Sequence, residues 1–135
     1  PNYMRVSLDG ETIRCLDFSG KAINQMNDVL YAGKRGVAGY FYGDASRPNV
    51  LVENCLQYEN EEKIGCIIHD ESAPVDALCA EFVNEVNGCK FIIIYRSDEQ
   101  MQVCSPDSKG GFASVGTTAI VSMSQMKEWI RRKRV

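Results

Sequence analysis

Residues 64–96 read IGCIIHDESAPVDALCAEFVNEVNGCKFIIIYR, and this stretch decides the fold of the chain. A short apolar run comes first, an amphipathic segment follows, and a second apolar run ends the stretch. This order predicts a strand, a helix and a second strand that is parallel to the first. Parallel strands crossed by a helix are buried on both faces, so the remaining elements must cover this unit.

The middle of the stretch has the spacing of one amphipathic helix. Its apolar residues share a single helical face, and they are Val75, Leu78, Cys79, Phe82, Val83 and Val86. The residues expected to face solvent are Asp76, Glu81, Asn84 and Glu85. Ser72 is placed to cap the first turn, and Asn87-Gly88 is placed to end the helix in a left-handed conformation.

The rest of the chain adds further strands and two more helices. The predicted strands are Tyr3–Leu8, Thr12–Phe18, Val37–Tyr42, Val50–Tyr58, Met101–Ser105 and Ala113–Val121. The first two form a hairpin, because Asp9-Gly10 is a type I′ turn signal. The first of the two helices runs from Ser19-Gly20 through Ala32. The second begins at Ser122 or Ser124, and its Met126, Trp129 and Ile130 are expected to pack inward. We expect one α+β (or α/β-like) domain over residues 1–135, with a single mixed sheet, a central strand–helix–strand unit, an N-terminal hairpin and three helices.

Composition is that of an ordinary globular protein, with 24% charged residues and a net charge of −3. The apolar runs are only a few residues long, so we expect no transmembrane helix, no signal peptide and no membrane partner. Six cysteines lie ten or more positions apart, without a Cys-x-x-Cys pair. We interpret them as reduced core thiols of a cytoplasmic protein. Cys66-x-x-His69 alone is a weak zinc signal, and no cofactor is indicated.

The candidate catalytic residues are His69, Asp70 and Glu71. They follow the first central strand, at the end where sheets with parallel strands bind ligands. The only histidine of the chain beside two acids suits a general base or a divalent metal. If the strand runs through both residues, Cys66 and His69 point to opposite faces and cannot form a nucleophile–base pair. A structural role is the simpler interpretation, because carboxylates are favoured near a helix N-terminus in any protein.

A second candidate is the glycine-rich segment that begins at Lys109. Its candidate ligand-binding residues are Lys109, Gly110, Gly111, Thr117 and Thr118. The spacing from Gly111 to Thr118 imitates a nucleotide-binding loop, but Thr117 stands where that loop needs a lysine. Hydrolysis of a nucleoside triphosphate is therefore not expected. Backbone amides with Lys109 can still hold a phosphate group or a nucleic-acid backbone, and a plain hairpin loop is the alternative.

The last candidate is a basic cluster near the C-terminal end, formed by Lys127, Arg131, Arg132, Lys133 and Arg134. The chain has 15 basic and 18 acidic residues, so removing these five and Glu128 leaves 10 basic against 17 acidic residues, a net charge of −7. Cations at the C-terminal end of a helix are favourable in any protein. This cluster exceeds that need, and it can contact nucleic acid, an acidic protein or the acidic face of a second copy.

A region from about Lys63 to Gly111 resembles the C-terminal accessory domain of the DHH-type phosphoesterases. The resemblance rests on the order strand, helix, apolar strand (CKFIIIYR) and returning strand with a serine-rich turn (MQVCSPDSKGG). The family's glycine–glycine–glycine–histidine motif is replaced by Gly110-Gly111-Phe112. The resemblance implies phosphate or nucleic-acid contact near Lys109–Gly111, beside a separate catalytic domain, and no independent catalysis.

These observations favour a non-enzymatic binding domain that contacts a protein, a nucleic acid or a phosphate ligand. The basic cluster and the glycine-rich segment are the expected contact regions. One alternative is a metal-dependent hydrolase or nuclease that uses His69, Asp70 and Glu71, or a phosphoesterase accessory domain. Another is a nucleotide-binding regulatory module centred on Lys109.

Overall fold

The computed structural model of the chain describes residues 3–31, 34–97 and 101–117. The strands of these residues are β1 (Tyr3–Asp9), β2 (Cys15–Ser19), β3 (Gly36–Asp44), β4 (Asn49–Leu56), β5 (Gly65–His69), β6 (Phe91–Tyr95), β7 (Met101–Pro106), β8 (Phe112–Ser114) and β9 (Gly116–Thr117). The helices are α1 (Gly20–Tyr31), α2 (Val75–Glu81) and α3 (Val83–Val86).

The strands form one mixed sheet in the order β8-β7-β6-β5-β3-β4-β2-β1-β9. The pairs β2–β4 and β5–β6 are parallel, and the other pairs are antiparallel. Strands β8 and β9 stand at opposite ends of this order, although only Val115 separates them in the chain. The sheet must therefore curl until its two edges come close together. The expected mixed sheet and its α+β class are confirmed.

One face of the sheet packs on α1, around three buried aromatic rings. Phe41 stacks on Phe91 with ring centroids 5.3 Å apart, and Phe18 meets Phe41 edge-on at 6.0 Å. Gly65 leaves room for this stack, because a Cβ there would lie 2.8 Å from the Phe91 ring. Helix α1 buries the predicted apolar face, which consists of Ala22, Ile23, Met26, Val29 and Leu30. Its first turn is capped by Ser19, whose hydroxyl accepts the Ala22 amide at 3.0 Å.

The opposite face of the sheet is covered by α2 and α3. Leu78 and Val86 are buried there against side chains of β5, β6 and β7, namely Cys66, Ile68, Ile92, Ile94 and Cys104. All five residues of β6 are buried, as expected for a strand that is covered on both faces. The parallel register pairs Cys66 with Ile92 and His69 with Tyr95. Strands β5 and β6 are therefore a parallel pair, and α2 and α3 lie between them in the chain.

The crossover is not the single helix that the spacing predicts. Phe82 leaves helical geometry with φ −106° and ψ 38°, and it separates α2 from α3. The break turns Val83 outward, where its side chain is 58% exposed, so its predicted place on the buried face is wrong. Ser72 is not the cap either, because α2 begins after Pro74 without a side-chain cap. The predicted left-handed end is confirmed by Gly88, at φ 84°.

Two further predictions need correction. Strand β2 begins at Cys15 rather than Thr12, and a loop replaces the tight turn at Asp9-Gly10. The loop carries Ile13 into the core, where it is 4% exposed, and this burial favours the longer connection. The strand predicted over Ala113–Val121 is interrupted at Val115, where the chain passes from one sheet edge to the other.

Other predictions have different outcomes. The predicted C-terminal helix lies outside the described residues. All six cysteines are free, and all but Cys79 are buried, which confirms the interpretation as core thiols. Among the helices described, none is long and apolar enough to cross a membrane.

Candidate functional site

His69 ends β5 beside the end of its parallel neighbour β6. Its ring stacks on Tyr95 with centroids 4.9 Å apart and an interplanar angle of 26°. Nδ1 lies 3.2 Å from the carbonyl oxygen of Lys34, and Nε2 lies 2.9 Å from Glu71 Oε1. Cys66 packs on the opposite face of the sheet, against α2 and α3, as the strand alternation predicts. Both nitrogens of the imidazole therefore have partners within the fold.

Glu71 connects His69 to the chain just after β6. Its Oε2 accepts hydrogen bonds from the hydroxyl and, at 3.2 Å, from the backbone amide of Ser97. These hydrogen bonds hold the pKa of the Glu71 carboxyl below its usual value. The largest contribution comes from Ser97, and the next comes from His69. A serine nucleophile needs the imidazole between hydroxyl and carboxylate. Here the carboxylate lies between them, so this arrangement does not activate Ser97.

Asp70 serves the loop that leads into α2. Its Oδ2 accepts the amides of Ser72 at 3.0 Å and Ala73 at 2.6 Å, while its Oδ1 accepts Arg35 Nε at 2.6 Å. The Ala73 amide contributes most to lowering the pKa of this carboxyl, with smaller contributions from Ser72 and Arg35. The two terminal nitrogens of Arg35 donate to the two oxygens of Glu81 at 2.7 and 2.8 Å. Asp70 is only 6% exposed, so it acts as an internal anchor of this loop.

The three candidate catalytic residues thus separate into two groups. His69 and Glu71 form a pair at the mouth of the parallel strands, whereas the Asp70 carboxylate points to Arg35 and to the backbone of the following loop. Within residues 3–31, 34–97 and 101–117, no group of three or more histidine, cysteine, aspartate or glutamate side chains is arranged to hold a metal ion.

The glycine-rich segment forms a tight turn around an aspartate of its own. Asp107 Oδ1 accepts the backbone amides of Lys109 and Gly111, both at 2.9 Å. Gly110 stands between them at φ 84°, a conformation that favours glycine. Two of the amides that we expected to face a phosphate are therefore bound to a carboxylate of the chain. The Lys109 residue is exposed at the tip of the turn.

The remaining candidates are only partly placed. Thr117 lies in β9 and pairs with Leu8 of β1, whereas Lys109 lies in the turn between β7 and β8. Thr118 and the whole basic cluster, Lys127, Arg131, Arg132, Lys133 and Arg134, lie outside the described residues.

Residues of the site that sequence reasoning missed come from other parts of the chain. Arg35 enters from the connection between α1 and β3, and Ser97 follows β6. Arg96 also contributes, donating to the carbonyl oxygens of Asp70 at 3.2 Å and Ala73 at 2.6 Å. The parallel register of β5 and β6 is the one signal that brings positions 95–97 next to positions 69–71. No comparable signal joins Arg35 to them.

Comparison of the chain with protein-family models, with curated proteins and with solved structures gave no match.

Proposed function

We propose that the chain is a non-enzymatic, cytoplasmic binding domain that contacts an acidic partner through the basic cluster at residues 127–134. The observation that carries this proposal is the separation of charge along the sequence. Five cations stand within these eight residues, and the rest of the chain has 10 basic and 17 acidic residues. Clustered cations attract phosphates or carboxylates, whereas the acidic remainder repels the same ligands.

The hydrogen bonds around Asp70 and Glu71 favour a structural role for these two carboxylates over general-base catalysis. Each of these carboxylates has at least two hydrogen-bond donors, and these bonds lower its pKa. A general base at neutral pH works best with a pKa near 7. Both groups are shifted in the opposite direction, which favours a structural role for them.

Lys109 is proposed as a second contact in the same function. The turn that carries it is held by Asp107, which accepts the Lys109 and Gly111 amides at 2.9 Å. The turn therefore contributes the ammonium group of Lys109 more than its backbone. A lysine acts on a phosphate or carboxylate as a point charge and imposes little geometry.

The test is a fluorescence-anisotropy titration with three labelled probes: a single-stranded oligonucleotide, a duplex oligonucleotide and poly-glutamate. We expect at least one probe to bind, with affinity that falls as salt rises. For B-DNA the logarithm of the binding constant should fall linearly with the logarithm of the salt concentration. The slope is about 0.9 for each phosphate contact. Binding of an oligonucleotide alone would identify nucleic acid as the partner class, and binding of poly-glutamate alone would identify an acidic protein.

The variant that tests the contact region is Arg131→Glu with Arg132→Glu. We expect it to weaken binding at least about tenfold, which is about 1.4 kcal/mol. The matched control is Lys90→Glu, which reverses an exposed cation between α3 and β6 and should bind like the unmodified protein. Equal binding by both variants, or no binding of any probe, would refute the proposal.

A second candidate function is a metal-dependent hydrolase or nuclease. The observation in its favour is the His69–Glu71 pair, 2.9 Å apart, at the carboxyl ends of two parallel strands. This candidate requires Glu71 to exchange Ser97 for a metal ion. Hydrolysis of a phosphodiester that depends on a divalent metal and is lost in His69→Ala would replace the binding proposal.

A further inference from the structure

Asn87 and Gly88 form the turn that follows α3 and leads towards β6. The chain has eight asparagines, and Asn87 is the only one that is followed by glycine. The backbone nitrogen after an asparagine can attack the side-chain amide carbon and close a five-membered imide ring. A side chain on the following residue hinders this attack, and glycine has none. The chain therefore has one asparagine that is favoured for this reaction.

The folded structure leaves this turn open to the reaction. Both residues are exposed, and a Cβ on Gly88, which lies at φ 84°, would have no neighbour within 4 Å. Throughout the described part of the chain, no group accepts the Gly88 amide or forms a hydrogen bond with the Asn87 side chain. Ring closure requires rotation about the Cα–C bond of Asn87 from its ψ of 131°. No hydrogen bond from the Gly88 amide opposes that rotation.

Other asparagines of the described residues are restrained by the fold. Asn60 Oδ1 accepts the backbone amide of Glu62 at 2.8 Å. Asn27 is only 6% exposed within α1, and Asn54 pairs with Tyr42 between β3 and β4. Every asparagine except Asn87 is also followed by a residue with a side chain. The local sequence and the fold thus favour the same position.

We propose that Asn87 is a deamidation site, at which the chain converts its own asparagine to aspartate or isoaspartate with water as the co-reactant. In the first step hydroxide removes the Gly88 amide proton, and the nitrogen attacks Cγ of Asn87. A C–N bond forms and closes the imide ring, and the bond from Cγ to the side-chain nitrogen breaks. The leaving nitrogen takes a proton from water and departs as ammonia, which regenerates the hydroxide.

In the second step water adds to one of the two imide carbonyl carbons. Breakage of the bond between Cγ and the Gly88 nitrogen gives aspartate. Breakage of the bond between the main-chain carbonyl carbon of Asn87 and that nitrogen gives isoaspartate, in which the chain runs through the former side chain. The oxygen of water stays on the new carboxyl group, which is ionised at neutral pH. The net reaction consumes one water molecule and releases one ammonia molecule.

The new carboxylate would lie beside two existing ones. Asn87 and Gly88 line a cleft of about 410 Å³ together with Glu59, Glu61 and Lys63. The Lys63 side chain is only 7% exposed and is already paired with Glu59. Deamidation adds a negative charge to this cleft and lowers the net charge of the chain, which is −3, by one. The cleft therefore becomes more acidic as the protein ages.

The test is incubation of the folded full chain at mildly alkaline pH, followed by ion-exchange chromatography. We expect new, more acidic species, one of which elutes with the variant Asn87→Asp. Trypsin releases residues 64–90 as one peptide, because no lysine or arginine lies between Lys63 and Lys90. This peptide should become heavier by the difference between water and ammonia, and fragmentation should locate the change at Asn87 rather than Asn84.

A parallel incubation of the chain unfolded in urea tests the contribution of the structure. We expect Asn87 to react in both samples. If the folded protein stays unmodified while the unfolded chain reacts, the fold protects the turn and the proposal is wrong. A reaction that occurs first at any other asparagine would also overturn it.

Variants test the role of the glycine. Gly88→Ala should slow the reaction at least about tenfold, which is about 1.4 kcal/mol in the barrier. The matched control is Gly110→Ala, which has the same φ of 84° and the same open space but follows Lys109. It carries a similar backbone strain and should react like the unmodified protein. If Gly88→Ala does not fold, Asn87→Gln replaces it and should lose the acidic species. An unchanged rate in the variant used, or equal slowing in Gly110→Ala, would refute the proposal.

Discussion

Replacing Asp70 by alanine should remove the anchor of the loop that leads into α2. Three hydrogen bonds are lost, from the amides of Ser72 at 3.0 Å and Ala73 at 2.6 Å and from Arg35 at 2.6 Å. A hydrogen bond to a charged group contributes about 1.5 kcal/mol at the lower end of its range, so the two amides account for about 3 kcal/mol. The side chain of Arg35 is 52% exposed, and its pair with Asp70 adds at most about 1 kcal/mol.

The expected loss is therefore about 3–4 kcal/mol in the free energy of unfolding. For a chain of this size the midpoint of thermal unfolding should fall by about 10 °C. Urea titration followed by circular dichroism measures the change in the free energy of unfolding. The slope of this free energy against urea concentration should stay the same. The matched control is Asp76→Ala, an exposed aspartate in the first turn of α2, whose loss should cost about 0.3–1 kcal/mol.

The effect of Asp70 should also depend on pH in a defined direction. Its folded pKa is lowered, so the folded protein binds the proton more weakly than the unfolded chain does. The stabilisation is thus fully present above the ordinary aspartate pKa, about 3.9, and is lost as pH falls through the folded value. The difference in the free energy of unfolding between the unmodified protein and Asp70→Ala should be constant from neutral pH to about pH 5. It should shrink below about pH 4. A difference below about 1 kcal/mol at neutral pH, or one that grows in acid, would refute the anchoring role.

Two other substitutions test the packing and the first helix. Gly65→Ala should destabilise the protein by about 1–3 kcal/mol, because the new Cβ would lie 2.8 Å from Phe91. Urea titration measures the loss, and the control is Gly111→Ala, whose Cβ would have no contact closer than 3.6 Å. Ser19→Ala should cost about 1 kcal/mol by removing the cap on the Ala22 amide, whereas Ser19→Thr keeps the hydroxyl and should cost less; equal losses in thermal unfolding would argue against the cap.

The parts of the fold that the sequence predicts are those encoded by local periodicity. The apolar run at Phe91–Tyr95 has no polar position, which is typical of a strand covered on both faces, and all five residues are buried. The face of α1 repeats at helical spacing, and its first residues follow a serine that caps them. These signals need no knowledge of distant residues, so they are read correctly from one sequence.

The break between α2 and α3 depends on distant residues and could not be predicted. Phe82 lies on the apolar face of an uninterrupted helical pattern. In the structure the Arg35 guanidinium lies over the Phe82 ring, 5.7 Å from the ring centroid. The Phe82 ring also lies beside Gly36. Arg35 ends the connection from α1 and Gly36 begins β3, and the helix meets both residues only in the folded state. Tertiary contacts of this kind override a local pattern, and Val83 becomes exposed as a consequence.

The candidate site shows the same division. The pattern of parallel strands correctly predicts where His69 lies. It does not predict which groups form hydrogen bonds with the carboxylates near the candidate sites. Asp70 accepts two amides of the loop before α2, and Asp107 accepts two amides of the Lys109 turn. In both loops a carboxylate of the chain occupies the position that a ligand anion would take at free amides. Competition for these amides disfavours an external phosphate there, and recognition of an acidic partner then depends on cationic side chains. This is the reason for placing the proposed contact at the basic cluster rather than at either loop.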